Sequence, residues 1–201
     1  IETDYLLDVV PSEMPIDPFH PTAIQAQAIA ARSYAYWHIR QGSTINNSSQ
    51  FQVFVPYAFE ALPPASFPDT PTNPCASSNL NRYQRIVCGA VAPRHYIAYG
   101  TSPNDDLPAF SEYFADIRNR TVNGGQPYLI AVDDPISSHP DIVQDGHGRG
   151  MSQKKSRPLG ARQSELQHES GPRRLECALG TSRADPGALL HRRPYPGCSQ
   201  Q

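Results

Sequence analysis

Residues 22–40 read TAIQAQAIAARSYAYWHIR and form the main helical pattern of this sequence. The stretch contains neither proline nor glycine, so nothing in it interrupts a helix. Its apolar residues recur at intervals of three and four, which predicts one apolar helix face. Those residues are Ile24, Ala28, Ala31 and Ala35. Pro21 suits the first turn of such a helix and Gly42 its end. The small alanines predict close packing against another element.

The flanking sequence predicts short strands and long proline-rich loops. The apolar run 4–10 ends in strand-forming valines, and prolines follow it. Residues 80–91 could form a second helix, whereas residues 61–78 contain five prolines and indicate a long surface loop. Further strand candidates are 51–59, 95–99, 110–115 and 128–132. We therefore predict an α+β fold in which one main helix packs on short mixed strands joined by long Pro-rich loops.

The charge of the chain divides after Gln153. The whole sequence has 17 Lys+Arg against 19 Asp+Glu, a net charge of −2. Residues 1–153 carry 8 basic and 15 acidic residues, whereas residues 154–201 carry 9 and 4. The near-neutral total gives no electrostatic case for binding nucleic acid or an anionic membrane surface. We predict a folded domain over 1–153 and a low-complexity, disordered basic tail over 154–201, which could bind an acidic partner.

Three sequence segments occur in a characteristic order. They are YLLDVVPSEMP at 5–15, AQAIAARSY at 26–34 and GHGRGMSQ at 146–153. Together they resemble the stage II sporulation protein D family, also called the amidase-enhancer LytB family, over most of residues 4–153. The resemblance implies a bacterial protein that acts on peptidoglycan in cell-wall remodelling or sporulation. It implies either a lytic transglycosylase, like the family's studied sporulation member, or a non-catalytic wall-binding module that enhances a cell-wall amidase.

The resemblance also gives a second explanation of the basic tail. Family members continue after GMSQ with a Gly/Ala-rich helix and a segment like EILxHYYTG, whereas this chain continues KKSRPLGARQ. Moving the reading frame by one nucleotide, with permitted codons, converts residues 175–197 into WSALWERAEQILVHYYTGVHIR. We therefore expect the residues after about Gln153 to be a frameshifted translation. Because the chain begins with Ile1 and not Met, we also expect it to be a piece of a longer product.

Glu13 is the predicted catalytic residue. Cleaving a β-1,4 glycosidic bond requires an acid to protonate the leaving oxygen, and a lytic transglycosylase then requires a base for the muramic C6 hydroxyl. One carboxyl group can do both if poor solvation keeps it protonated near neutral pH. Apolar residues flank Glu13 on both sides. From the residues alone a solvated glutamate near a helix entry is the commoner case, but the family's catalytic glutamate sits in the VVPSEMP motif.

Five further residues are predicted to bind substrate or to support Glu13: Gln27, Arg32, His147, Gly148 and Ser152. Arg32 could contact a glycan group or orient Glu13 through a charge-assisted hydrogen bond, or could lie on a solvated helix face. Glycines around His147 let the backbone approach a ligand closely. Without the resemblance this segment would be interpreted as a turn with an exposed histidine; with it, we expect the segment in the substrate cleft.

Cys75 and Cys88 are the only cysteines before residue 154. An even pair in an exported protein favours a disulfide. The alternative is a zinc site with His95 and His139 as further ligands, since some family members carry Cys/His ligands near the cleft. No CxxC or HxxxH spacing occurs, so we favour the disulfide and expect no cofactor.

The remaining expectations follow from the resemblance. We expect the protein to lie outside the cytoplasm, either in the cell envelope or secreted. We expect glycan strands of peptidoglycan as its substrate and a cell-wall amidase as a further partner. We expect no nucleic-acid partner. No stretch approaches the ~20 apolar residues of a membrane span, so we expect a membrane anchor only if one precedes Ile1.

Overall fold

The computed structural model describes residues 1–48, 50–70, 72–100, 106–134 and 142–154. Within these ranges lie three α-helices, α1 (Tyr5–Glu13), α2 (Pro21–Arg40) and α3 (Arg82–Val91), and a 3₁₀ helix over Pro74–Ala76. Four two-residue strands form two small sheets: β1 (Ala98–Tyr99) pairs antiparallel with β2 (Leu107–Pro108), and β3 (Tyr113–Phe114) pairs parallel with β4 (Met151–Ser152). The α+β class is confirmed. None of the described helices has the length and apolar character needed to cross a membrane.

Helix α2 lies at the centre of the core and matches the predicted helix closely. It begins at Pro21, where the His20 ring accepts a hydrogen bond from the Thr22 N–H at 3.2 Å, and Gly42 follows its end with a φ of +63°. Its apolar face is buried against both α1 and α3. The main neighbours of α2 are therefore helices, and among the predicted short strands it also contacts β2.

The apolar run at residues 4–10 is helical and supplies most of α1. Its buried side chains, Leu6, Leu7, Val9 and Val10, recur at helical spacing and face the core. Pro11 lies inside the helix, and Met14 N–H closes the last turn on the Val10 carbonyl at 3.1 Å. The valines favoured a strand, but burial of this face against α2 and α3 outweighs their β-propensity.

Residues 51–59 also differ from the prediction, because they run irregularly along α1 and form no strand. Alternate N–H groups of this segment, which a neighbouring strand would otherwise accept, donate to side chains of α1. The Val53 N–H donates to the Glu13 carboxyl group at 2.5 Å, and the Val55 N–H donates to the Ser12 hydroxyl at 3.3 Å. The N–H groups of Tyr57 and Phe59 both donate to the Asp8 carboxyl group, each at 3.1 Å. Side chains of one helix therefore replace the strand partner, and the segment is fixed beside Glu13.

The other predicted elements are confirmed in part. Helix α3 lies within the predicted 80–91, β1 lies within 95–99 and β3 lies within 110–115. Residues 128–132 form a turn and irregular chain instead of a strand, and the Leu129 carbonyl accepts the Gly124 N–H at 2.7 Å. The predicted tail lies outside the described residues except for Lys154.

The proline-rich segment 61–78 is tied to α3 by the predicted disulfide between Cys75 and Cys88, whose Cα atoms lie 5.5 Å apart. The buried side chain of Gln84 on α3 adds a second attachment, since its amide nitrogen donates to the carbonyls of Phe59 and Ser66 at 3.1 and 2.8 Å. The loop is thus held against the helical core at both of these points.

Replacing both cysteines with serine is expected to lower the free energy of unfolding by about 3 kcal/mol, because the disulfide restricts the unfolded chain. The closed loop is short, with a sequence separation of 13, and most of the loss is entropic in that model. Urea denaturation of the wild type and the double variant measures the difference. The reduced wild type provides the control and should match the variant; equal stability of the oxidised wild type and the variant would contradict the prediction.

Candidate active site

Glu13 is the last residue of α1, and its carboxyl group is partly buried between α1, the 51–59 segment and β3. Oε1 accepts the Val53 N–H at 2.5 Å, and the Tyr113 hydroxyl and the Gln153 amide lie near the carboxyl group. Burial raises the pKa of Glu13, and these three polar groups lower it only in part. Glu13 therefore keeps its proton to a higher pH than a solvated glutamate, which is what a general acid requires.

Helix α2 and the 146–153 segment meet beside Glu13. The Gln153 amide nitrogen donates to the Glu13 backbone carbonyl at 3.2 Å and to the Gln27 side-chain oxygen at 3.4 Å. Two buried polar atoms in this part of the structure, the Gln27 Nε2 and the Ser152 Oγ, have no hydrogen-bond partner among the described residues. Burying such atoms unpaired is costly, so an ordered water is the expected partner of each. The structure thus brings together Glu13, Gln27 and the end of the glycine-rich segment.

The glycine-rich segment needs its glycines. Gly146, Gly148 and Gly150 have φ values of +100°, +75° and +82°. A Cβ on Gly150 would lie 1.9 Å from the Glu112 carbonyl oxygen, so a larger residue would displace the backbone here. Arg149 holds the segment to the Glu112 carboxylate with an NH2–Oε1 distance of 2.6 Å. This close approach sets the position of β4, which carries Ser152 and precedes Gln153.

His147 and Gly148 lie in the same segment, but no hydrogen bond among the described residues joins either to Glu13. The His147 Nδ1 accepts the Arg149 N–H at 3.0 Å, and its ring lies 5.7 Å from the Phe114 ring. Partial burial and the Arg149 charge lower the pKa of His147, so its ring is neutral at pH 7. The Gly148 carbonyl accepts the Val122 N–H at 2.8 Å. Both residues contribute to the shape of the segment.

Arg32 is fully buried and directs its hydrogen bonds away from the site. Its guanidinium pairs with the Glu2 carboxylate, with an NH2–Oε2 distance of 2.7 Å. It also donates to the carbonyls of His95 and Val91, both at 2.7 Å. These bonds join the start of the chain, α2 and the end of α3. They correct the expectation that Arg32 contacts Glu13 or lies on a solvated helix face.

The described residues do not fit the zinc alternative. Both cysteine sulfurs are joined in the disulfide, so neither is available as a thiolate ligand. His95 is exposed, and His139 lies outside the described residues. Across the described ranges, no group of three or more His, Cys, Asp or Glu side chains is arranged to hold a metal ion.

Tyr113 is a residue of this site that the sequence reasoning missed. It lies in β3, a hundred residues from Glu13, and no motif marks it. A surface cavity of about 350 Å³ lies near the other end of α1, lined by Asp8 and Tyr57 among others and not by Glu13. The contacts around the Glu13 carboxyl group, and not that cavity, therefore define the candidate site.

A known protein family matches the N-terminal part of the chain. The family model described as SpoIID, stage II sporulation protein, matches residues 2–93. The matched part contains the three helices, Glu13 and the disulfide, and it ends before the strands and the glycine-rich segment. A comparison with curated proteins finds no match.

Proposed function

From the membership of residues 2–93 in the stage II sporulation protein family, which is linked to sporulation and the cell wall, we propose that the protein is a peptidoglycan lytic transglycosylase. The observation that carries the proposal is the Glu13 carboxyl group, which is partly buried, held by the Val53 N–H and raised in pKa.

The reaction proceeds in two proton transfers. Protonated Glu13 donates its proton to the oxygen between MurNAc and GlcNAc as the bond from that oxygen to the muramic C1 breaks. The Glu13 carboxylate then accepts the proton of the muramic C6 hydroxyl as O6 bonds to C1. The glycosidic bond between the sugars is replaced by an internal glycosidic bond from O6 to C1, water is not consumed, and Glu13 ends protonated as it began.

The proposed setting is the cell envelope outside the cytoplasm, and the disulfide supports it because disulfides persist in oxidising compartments. The proposed substrate is a glycan strand stripped of peptides. A cell-wall amidase is the proposed partner, since it produces such stripped strands.

The test is digestion of purified peptide-free glycan strands, with the products analysed by mass spectrometry. The chain as given and a chain whose reading frame is restored after Gln153 are assayed side by side. Anhydro-muramic ends are expected, whereas ordinary reducing ends would indicate a hydrolase. The absence of cleavage by both chains, with sedimentation on sacculi and stimulation of an amidase, would replace the proposal with the non-catalytic alternative.

A further inference from the structure

A chain of hydrogen-bonded side chains lies behind the Glu13 carboxyl group. The Tyr5 hydroxyl bonds the Gln52 side-chain oxygen at 2.7 Å, and the Gln52 amide nitrogen bonds the Tyr113 hydroxyl at 2.8 Å. Val53, the residue after Gln52, donates its N–H to Glu13 Oε1 at 2.5 Å, and the Tyr113 hydroxyl lies near the same carboxyl group and lowers its pKa. Gln52 is only 1% exposed, so its amide depends on these partners and cannot turn to water instead. Three elements, α1, the 51–59 segment and β3, thus contribute to one network that ends at Glu13.

One backbone contact determines which group donates in each of these side-chain hydrogen bonds. The Gln52 amide nitrogen also lies 3.2 Å from the Ala31 carbonyl, which can only accept. The amide nitrogen must therefore face Ala31 and Tyr113, and the amide oxygen must accept from Tyr5. Because the Tyr113 oxygen accepts from Gln52, its own proton is left available to the nearby Glu13 carboxyl group. Each donor in this series of hydrogen bonds therefore points toward the end of the network that lies near Glu13.

We propose that Tyr113, oriented by Gln52 and Tyr5, is a positioning residue that stabilises the ionised form of Glu13 after it has given up its proton. The inference rests on the proposed function for its catalytic consequence, but the network itself does not. A hydrogen bond to an anion is stronger than one to a neutral group, so the Tyr113 hydroxyl gains a stronger acceptor as the proton leaves. The carboxyl group is already held in place by the Val53 N–H at 2.5 Å.

The neighbouring ionisable groups leave this arrangement unchanged at working pH. The groups that face Glu13 are Tyr5 from α1, Tyr34 from α2 and Tyr113 from β3. Burial raises the pKa of Tyr5 and of Tyr34 to about 12 and that of Tyr113 well above its usual range, and the Glu13 charge adds to all three shifts, after the Glu112 charge in the case of Tyr34. All three phenols therefore stay protonated, and Glu13 is the group that titrates.

The catalytic test is the Tyr113→Phe variant, which removes only the hydroxyl. Without that donor the Glu13 carboxylate is less stable, so its pKa rises. We expect kcat on peptide-free glycan to fall about tenfold with KM unchanged, and the alkaline limb of the pH–rate profile to move to higher pH. The Gln52→Met variant should show a smaller fall in kcat and a smaller shift of the alkaline limb in the same directions. An unmoved alkaline limb in both variants would overturn the proposal.

The matched control is Tyr128→Phe, since Tyr128 is also buried and its hydroxyl bonds the Phe110 N–H at 2.7 Å, outside this network. It should leave the profile unchanged, whereas a purely structural role of Tyr113 would make the two variants behave alike. A carbon-13 NMR titration of the Glu13 carboxyl group separates this inference from the proposed function. A higher titration point in Tyr113→Phe supports the network even if no glycan is cleaved, and an equal one overturns it.

Discussion

The Glu13→Gln variant is expected to cleave peptide-free glycan on the order of 10³-fold more slowly than the wild type, because glutamine can neither donate nor recover the transferred proton. Glutamine has nearly the same volume, and its oxygen can still accept the Val53 N–H that meets Glu13 at 2.5 Å. The folded structure should therefore survive, and the loss should appear in kcat. Release of anhydro-muramic ends under identical conditions measures it.

The pH dependence of cleavage by the wild type tests the role of the Glu13 carboxyl group independently. Cleavage requires the protonated form of Glu13, so activity should fall as the pH rises through the Glu13 pKa. Because burial raises that pKa, activity should persist to a higher pH than a solvated glutamate would allow. The control is Glu60→Gln, which changes a carboxyl group at the other end of α1 and should keep full activity. A fully active Glu13→Gln variant would end the assignment.

The sequence predicts what depends on local pattern. The course of α2 follows from its uninterrupted helix formers and its flanking Pro21 and Gly42. The disulfide follows from a single cysteine pair. The run at 4–10 carried a usable signal, since Leu7, Val10 and Met14 recur at helical spacing and all are buried. The strand expected at 4–10 rested on the β-propensity of two valines, whereas the helical spacing of the buried apolar residues indicated the correct structure.

The sequence cannot predict contacts that arise only when distant segments meet. Residues 51–59 have the composition of a strand, and they fail to form one because the side chains of Asp8, Ser12 and Glu13 accept their N–H groups. Tyr113 is similar, since its role depends on Gln52 and Glu13, which lie 61 and 100 positions away in the chain. Spacing within one motif contains no information about either arrangement.

The Arg32→Met variant is expected to lose about 3–5 kcal/mol of folding free energy, since it leaves a partly buried carboxylate without its partner. The side chains of Arg32 and Glu2 are 0% and 18% exposed, and the carbonyls of Val91 and His95 would also lose a donor. The matched control is Arg120→Met, whose pair with Asp133 is 56% and 66% exposed and should contribute less than about 1 kcal/mol. Urea denaturation of both variants measures the contrast.

Acidity should reduce the effect of Arg32→Met, because the Glu2 charge is part of the pair. Burial alone would raise the pKa of Glu2, but the hydrogen bonds from Arg32 and Tyr36 outweigh it and hold that pKa below its ordinary value of 4.5. A carboxyl group with a lowered folded pKa stabilises the protein above its unfolded pKa, and this contribution disappears as the pH falls through the folded pKa. The difference between wild type and variant should therefore shrink on acidification. Cleavage per folded molecule should stay unchanged, since Arg32 bonds the scaffold and not Glu13; a lowered kcat in fully folded Arg32→Met protein would contradict this assignment.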